Sequence, residues 1–181
     1  MKKLKFLKIA VLTFVFFLII ACSSFSQSTV SNSIQNSAAN GLRVEFNGCQ
    51  YQLFENSMSW TEAKAYCESL GGQLTSITSD AEQKFIVDLI KKGTKNYYFI
   101  GGYCDSDRKF KWVTGEPMVY TAWASGQPDN WQGIQDKILI YRLNNPVTGR
   151  GQNMWDDIQN NGTVANEPFF SSGNFGFICK W

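Results

Sequence analysis

Residues 59–72 read Ser-Trp-Thr-Glu-Ala-Lys-Ala-Tyr-Cys-Glu-Ser-Leu-Gly-Gly. Ser59 and Glu62 have capping-box spacing, in which the hydroxyl and the carboxylate satisfy the free amides at a helix start. Ala63, Cys67 and Leu70 recur at helical spacing, which turns Cys67 inward, and Gly71-Gly72 supplies the stop. Further along, Ser79-Asp80-Ala81-Glu82 repeats the signal, and Phe85, Ile86, Leu89 and Ile90 continue it to Gly93. Upstream, Leu42 to Phe46 and Tyr51 to Phe54 alternate around Asn47-Gly48, as a hairpin or broken strand would. Downstream come short apolar runs that read as strands: Tyr97 to Ile100, Phe110 to Val113, Ile138 to Tyr141 and Gly176 to Cys179. Long stretches rich in Gly, Asn, Pro and Asp separate them, chiefly Thr114 to Gln135 and Leu143 to Asn174. Connections of that length in a compact domain are either functional or mobile. Two helices followed by short strands predict an α+β domain whose activity resides in its loops.

The 181 residues are 44% hydrophobic, 15% aromatic and 18% charged, which suits one domain plus a short extra segment. Histidine is absent, which removes Ser-His-Asp and Cys-His nucleophile pairs and His-ligated zinc, and no enzyme is expected. Lys2, Lys3, Lys5 and Lys8 precede the apolar run Ile9 to Ala21, so residues 1–21 read as a secretory signal. Ile19-Ile20-Ala21-Cys22 resembles the lipobox of bacterial lipoproteins, which implies a lipid on Cys22 and a chain exported and anchored to a bacterial membrane at the cell surface. Residues 22–40 are uncharged and rich in Ser, Asn and Gln, as in a flexible tether, and the domain occupies 41–181. From Cys22 onward 13 basic residues face 15 acidic ones. No basic stripe remains to track phosphates, so nucleic acid is not an expected partner.

Outward from residues 59–72, an ordered series of fragments accumulates: Trp60-x-x-Ala63-x-x-x-Cys67, Gly72-x-Leu74, Phe99-Ile100-Gly101, Trp112-Val113, Trp123, Gln127-Pro128-Asp129, Trp155-Asp156-Asp157 and Phe177-Ile178-Cys179. Together, over roughly Cys49 to the C-terminus, they resemble C-type lectin-like domains. The resemblance implies a C-type lectin-like α+β fold with two helices, two small antiparallel sheets and a long calcium-binding loop region. It also implies a Cys67–Cys179 disulfide. A second bridge usual in the family has no counterpart, since Lys137 stands where one of its cysteines is expected. Cys49 and Cys104 remain, either paired with each other or as two free, buried thiols, and the resemblance does not support the pair.

Carried over residue by residue, the resemblance makes Gln127, Asp129, Gln135, Asp156 and Asp157 the calcium ligands, and a cis Gln127–Pro128 bond goes with that motif. Side-chain and backbone oxygens of these types suit a hard cation. Gln127, Asp129, Gln135 and Asp156 would also bind sugar hydroxyls, and Trp131 stands where galactose binders place an aromatic ring. The Gln-Pro-Asp order resembles the galactose and N-acetylgalactosamine type. Gln135 and Asp156, however, exchange the family's usual Glu and Asn, which reverses a second acid and amide pair and unsettles the specificity. A second calcium site is only partly represented, by Asp107 and Asp136. Trp60, Trp112, Trp123 and Trp155 read as packing residues. Phe169 and Phe170 read as satellite core or as a partner surface. The expected function is calcium-dependent carbohydrate binding by a surface lipoprotein in an adhesion role. The alternative is a calcium-independent protein-binding module on the same scaffold.

Overall fold

The computed structural model describes residues 42–149, 151–162 and 170–181. The expected signal segment, Cys22 and tether lie outside these residues, as does Phe169. Strands β1 (Val44–Phe46) and β2 (Cys49–Phe54) form the expected hairpin, with Phe46 opposite Cys49. Asn47 and Gly48 turn it with φ of 50° and 78°, the left-handed pair that a tight hairpin turn demands.

Helix α1 (Trp60–Ser69) opens on a complete capping box: the Ser59 hydroxyl accepts from the Glu62 amide, and the Ser59 amide donates to the Glu62 carboxylate at 2.8 Å. Helix α2 (Asp80–Ile90) has only half of one. Ser79 accepts from the Glu82 amide at 3.2 Å, but the Glu82 carboxylate turns inward. There it accepts from the Tyr51 hydroxyl at 2.6 Å, from Lys180 Nζ at 2.8 Å and from the Thr78 amide at 2.8 Å. A half-buried charge partner and a buried phenol hold the carboxylate more strongly than an exposed cap amide would.

The remaining strands are β3 (Gln73–Leu74), β4 (Tyr97–Cys104), β5 (Phe110–Trp112), β6 (Lys137–Tyr141), β7 (Trp155–Ile158) and β8 (Phe175–Lys180). They follow the order β1-β2-β8-β4-β6-β7, with β3 added to β8 and β5 to β4. The antiparallel groups on either side are joined by one parallel pairing, Tyr97 to Phe99 of β4 with Phe175 to Phe177 of β8. Strands β3 and β7 were not evident in the sequence. The first has two residues, and the second carries two acids in mid-strand.

Alternate residues of β4 serve opposite faces of the sheet, as a period of two requires. Tyr97 and Phe99 join Trp60, Ala63 and Cys67 of α1 in one buried cluster, and Tyr98 and Ile100 join Ile86, Leu89 and Ile90 of α2 in another. Phe170 is buried in the first cluster and stacks on Tyr97 with ring centroids 4.9 Å apart, so it is core and not a partner surface. A Cys67–Cys179 disulfide fastens α1 to β8 across a sequence separation of 112. The Cys49–Cys104 bridge does not form, because Cys104 is a free, buried thiol. Cys49 begins β2 and Cys104 ends β4, with β8 between those strands. Two strand spacings, roughly 10 Å, exceed the ~7 Å Cα separation that a disulfide spans.

Candidate functional site: an oxygen-rich loop cluster at strand β7

The loop between β5 and β6 needs an anchor in place of the missing bridge, and Trp155 at the start of β7 provides it. Its amide donates to Ala122 O and its carbonyl accepts from the Ala124 amide, each at 2.8 Å. Its ring meets those of Trp112, Trp123 and Tyr120 edge-on, with centroids 5.4–5.9 Å apart, and its indole N–H donates to Gln83 Oε1 at 2.9 Å. Trp60 is likewise buried and donates to Ile100 O at 2.8 Å. Trp60, Trp112, Trp123 and Trp155 therefore pack the scaffold and leave the loop tip to other residues.

At that tip the Gln127–Pro128 peptide is cis. Asp157, fully buried on β7, accepts from the Asp129 amide at 2.9 Å and the Asn130 amide at 2.8 Å, one with each carboxylate oxygen. Asn130 takes a left-handed φ of 51°, after which the Trp131 amide donates to Asp129 Oδ1 at 3.0 Å and to Gln135 Oε1 at 2.8 Å. The Gln135 amide returns a bond to Asn130 Oδ1 at 3.2 Å, and Gln127 Nε2 reaches Asp129 Oδ2 at 3.5 Å. Gln127, Asp129, Gln135 and Asp157 are thus one network, and Asp156 adjoins it on β7, within reach of the charges of Asp157 and Asp129.

Asp156 is buried, and one of its oxygens, Oδ2, accepts from the Tyr141 hydroxyl, which itself accepts from Asn145 Nδ2 at 3.2 Å. The other oxygen, Oδ1, is buried without a partner, and so is Gln127 Oε1. Burial first, and then the charges of Asp157 and Asp129, push the Asp156 carboxyl up to about 7 even though Tyr141 opposes the rise. Burial also raises Asp157 above the ordinary carboxylate range, against the two amides it accepts from. Burial and the neighbouring Asp156 push the Tyr141 phenol up in turn, so it stays a neutral donor.

Unpaired buried oxygens and crowded carboxylates are costly unless a positive charge meets them. Arg108 does not supply it, because its guanidinium donates to the Gln135 backbone carbonyl at 3.1 Å. The residues therefore fit a hard cation that accepts oxygen ligands. Among the described residues no three acidic, cysteine or histidine side chains converge on one point, so the donor set depends on its amide oxygens as much as on its carboxylates.

Trp131 is 56% exposed and Ile134 51%, and both stand on the loop that carries the cluster. The two residues expected at a second calcium site each have a local partner. The Asp107 amide caps Asp105 Oδ1 in the turn before β5, while the Asp136 carboxylate pairs with Lys137 at 2.6 Å. Beside the cluster, a cleft of about 180 Å³ is lined in part by Gln127, Tyr141, Asn145 and Asp156. Tyr141 and Asn145 were not singled out in the sequence. One ends an apolar strand and the other sits in a polar stretch, and neither position signals a hydrogen bond to Asp156.

A family model described as the Lectin C-type domain matches residues 56–161, and the chain belongs to that family. A lectin from Pleurodeles waltl is 30% identical over 146 residues, which cover 78% of this chain and 74% of that protein. Asialoglycoprotein receptor 2 of Mus musculus is 38% identical over 92 residues, 50% of this chain but 29% of the receptor. The chain therefore spans less than a third of that relative. The carbohydrate-recognition domain of the mouse scavenger receptor C-type lectin superposes with a TM-score of 0.59 at 25% identity, covering 77% of this chain and 92% of that one. These relatives are animal proteins and have no bearing on a bacterial lipid anchor.

Proposed function

We propose that the protein is a calcium-dependent carbohydrate-binding module. The observation that carries this reading is the pair of buried, unpartnered oxygens, Gln127 Oε1 and Asp156 Oδ1, beside Asp157 and Asp129. Calcium held by Gln127, Asp129, Gln135, Asp156 and Asp157 would supply coordination for two vicinal sugar hydroxyls. Carboxylates of the same set accept from those hydroxyls and amides donate to them. Asp157 holds the 129–130 amides in place, and Tyr141 fixes one oxygen of Asp156 so that the other stays turned to the ligand. The Gln-Pro-Asp order, the exposed indole of Trp131 and similarity to a receptor named for asialoglycoproteins favour a galactose-type sugar. Export and a lipid on Cys22 would array many copies in a membrane plane, where weak single sites act together in adhesion.

A second reading, a calcium-independent protein-binding module, is favoured by one observation. Asp157 and Gln135 are already satisfied by the backbone amides of residues 129–131, so the loop keeps a shape without a cation and presents Trp131 and Ile134. Calorimetric titration of calcium, with a glycan array probed in calcium and in EGTA, separates the two. Stoichiometric calcium uptake and EGTA-sensitive binding to galactosides are expected. A protein that takes up no calcium, or one whose glycan binding is indifferent to EGTA, overturns the first reading, and mannose-only binding overturns the galactose assignment.

A further inference from the structure

The loop that carries the oxygen cluster re-enters the sheet at residues 135 and 136, and the turn between β4 and β5 holds it there. That turn closes on Asp105: its Oδ1 accepts from the amides of Asp107 and Lys109 at 3.0 and 3.1 Å, and its Oδ2 pairs with Lys111. Arg108 stands in the same turn with a left-handed φ of 58°, a conformation that strains a residue carrying a Cβ and that glycine adopts freely. The residue is exposed, so burial does not offset that strain. Its side chain instead crosses to the other loop, where the guanidinium donates to the Gln135 backbone carbonyl at 3.1 Å. The amide of the same peptide unit, that of Asp136, donates to Ile158 O of β7 at 3.2 Å, and Asp136 O accepts from the Cys104 amide at the end of β4 at 2.7 Å.

Gln135 faces the cluster with its remaining groups. Its Oε1 accepts from the Trp131 amide at 2.8 Å and its own amide donates to Asn130 Oδ1 at 3.2 Å, so Arg108 grips from outside the loop a residue whose other bonds lie within it. Two effects on a bound cation oppose each other. The guanidinium carries a like charge and stands among the acids of this region: burial raises the Cys104 thiol, Arg108 opposes the rise, and Asp105, Asp136 and Asp157 add to it. Repulsion from an exposed, screened charge changes an affinity by less than about fivefold. A hydrogen bond from a charged donor is worth roughly ten- to a hundredfold, so the brace outweighs the repulsion. We propose that Arg108 is a positioning residue, whose bond to the Gln135 carbonyl holds the Gln135 side-chain oxygen in the cluster and thereby sets the protein's affinity for calcium. The proposal rests on the calcium reading above and adds to it a control point outside the ligand set.

The test compares the full chain with its Arg108→Gly variant, which relieves the backbone and deletes the guanidinium. Hydrogen exchange in EGTA should show the Gln135 and Asp136 amides about fivefold or more faster in the variant, with those of Asp129 and Asn130, held by Asp157, unchanged. Calorimetry at physiological salt should show calcium bound about tenfold more weakly, while the urea midpoint stays at or above the wild-type value. Unchanged exchange at residues 135 and 136 would overturn the brace. So would faster exchange at all four amides together with a lower urea midpoint, the pattern of a merely structural turn residue. Calcium bound as tightly by the variant as by the wild type, or more tightly, would overturn its control of the site, repulsion then being the larger effect. A wild-type protein that binds no calcium overturns the calcium reading and the affinity claim with it, a result distinct from the others because exchange in EGTA involves no metal.

Discussion

Asp157→Asn isolates the role of one carboxylate. In the structure its two oxygens separately accept the amides of Asp129 and Asn130 at 2.9 and 2.8 Å, and the side chain is fully buried. An asparagine can accept only one of them and turns its own N–H toward the other. A hydrogen bond to a charged group contributes about 1.5–3 kcal/mol, so one of the two amides should exchange with solvent roughly ten- to a hundredfold faster. Hydrogen exchange in EGTA, resolved at residues 129 and 130, reads this directly and does not depend on any metal. The same variant removes a carboxylate from the proposed calcium set, so calcium affinity should fall as well. Equal protection of both amides in the variant and the wild type would refute Asp157 as the clamp of the loop, whatever happens to calcium.

Tyr141→Phe strips the donor from Asp156 Oδ2 and should weaken calcium binding by about tenfold in calorimetry, while far-ultraviolet circular dichroism stays unchanged. Trp131→Ala should lower galactoside affinity by about tenfold or more and leave calcium affinity within error, because the indole is exposed and its backbone amide, not its ring, meets Asp129 and Gln135. Burial pushes the Glu82 carboxyl up, but Lys180, the Tyr51 hydroxyl and the Thr78 amide more than offset this and hold it below the ordinary glutamate value of 4.5. Its contribution is therefore present above that value and is lost as pH falls below it. Urea melts should show Glu82→Gln about 3 kcal/mol less stable at neutral pH, with the gap closing as the pH drops toward 3. Replacing both Cys67 and Cys179 by alanine should cost up to about 4–5 kcal/mol, the chain-entropy value for a loop of this length, read as a lower urea midpoint.

The elements that could be read from the sequence were those with local signatures. Ser59 with Glu62 marks a helix start on its own terms, and Asn47-Gly48 marks a hairpin without reference to anything distant. Glu82 was misassigned because its partners, Tyr51 and Lys180, are 31 and 98 residues away, and no local pattern announces them. The candidate residues Gln127, Asp129, Gln135, Asp156 and Asp157 were recognisable as oxygen donors at spaced positions, and the structure links four of them in one hydrogen-bonded network with Asp156 beside it. What no spacing disclosed was how their oxygens are used. Asp157 and Gln135 serve backbone amides, Asp156 gives one oxygen to Tyr141 and leaves the other unpartnered, and Asn145 reaches Asp156 through the tyrosine. Nor did the sequence indicate that Trp155 would fasten the loop where the family's usual second bridge has no counterpart, since its bonds to residues 122 and 124 are made by the backbone and carry no residue preference.

The strand order places β1 at one margin of the sheet and β7, with Asp156 and Asp157, at the other. Five strand spacings at about 4.8 Å separate them, roughly 24 Å. Polypeptide arriving at Val44 thus enters on the side remote from the oxygen cluster. A leash fixed there would hold the grip outward, clear of whatever surface the leash is fastened to.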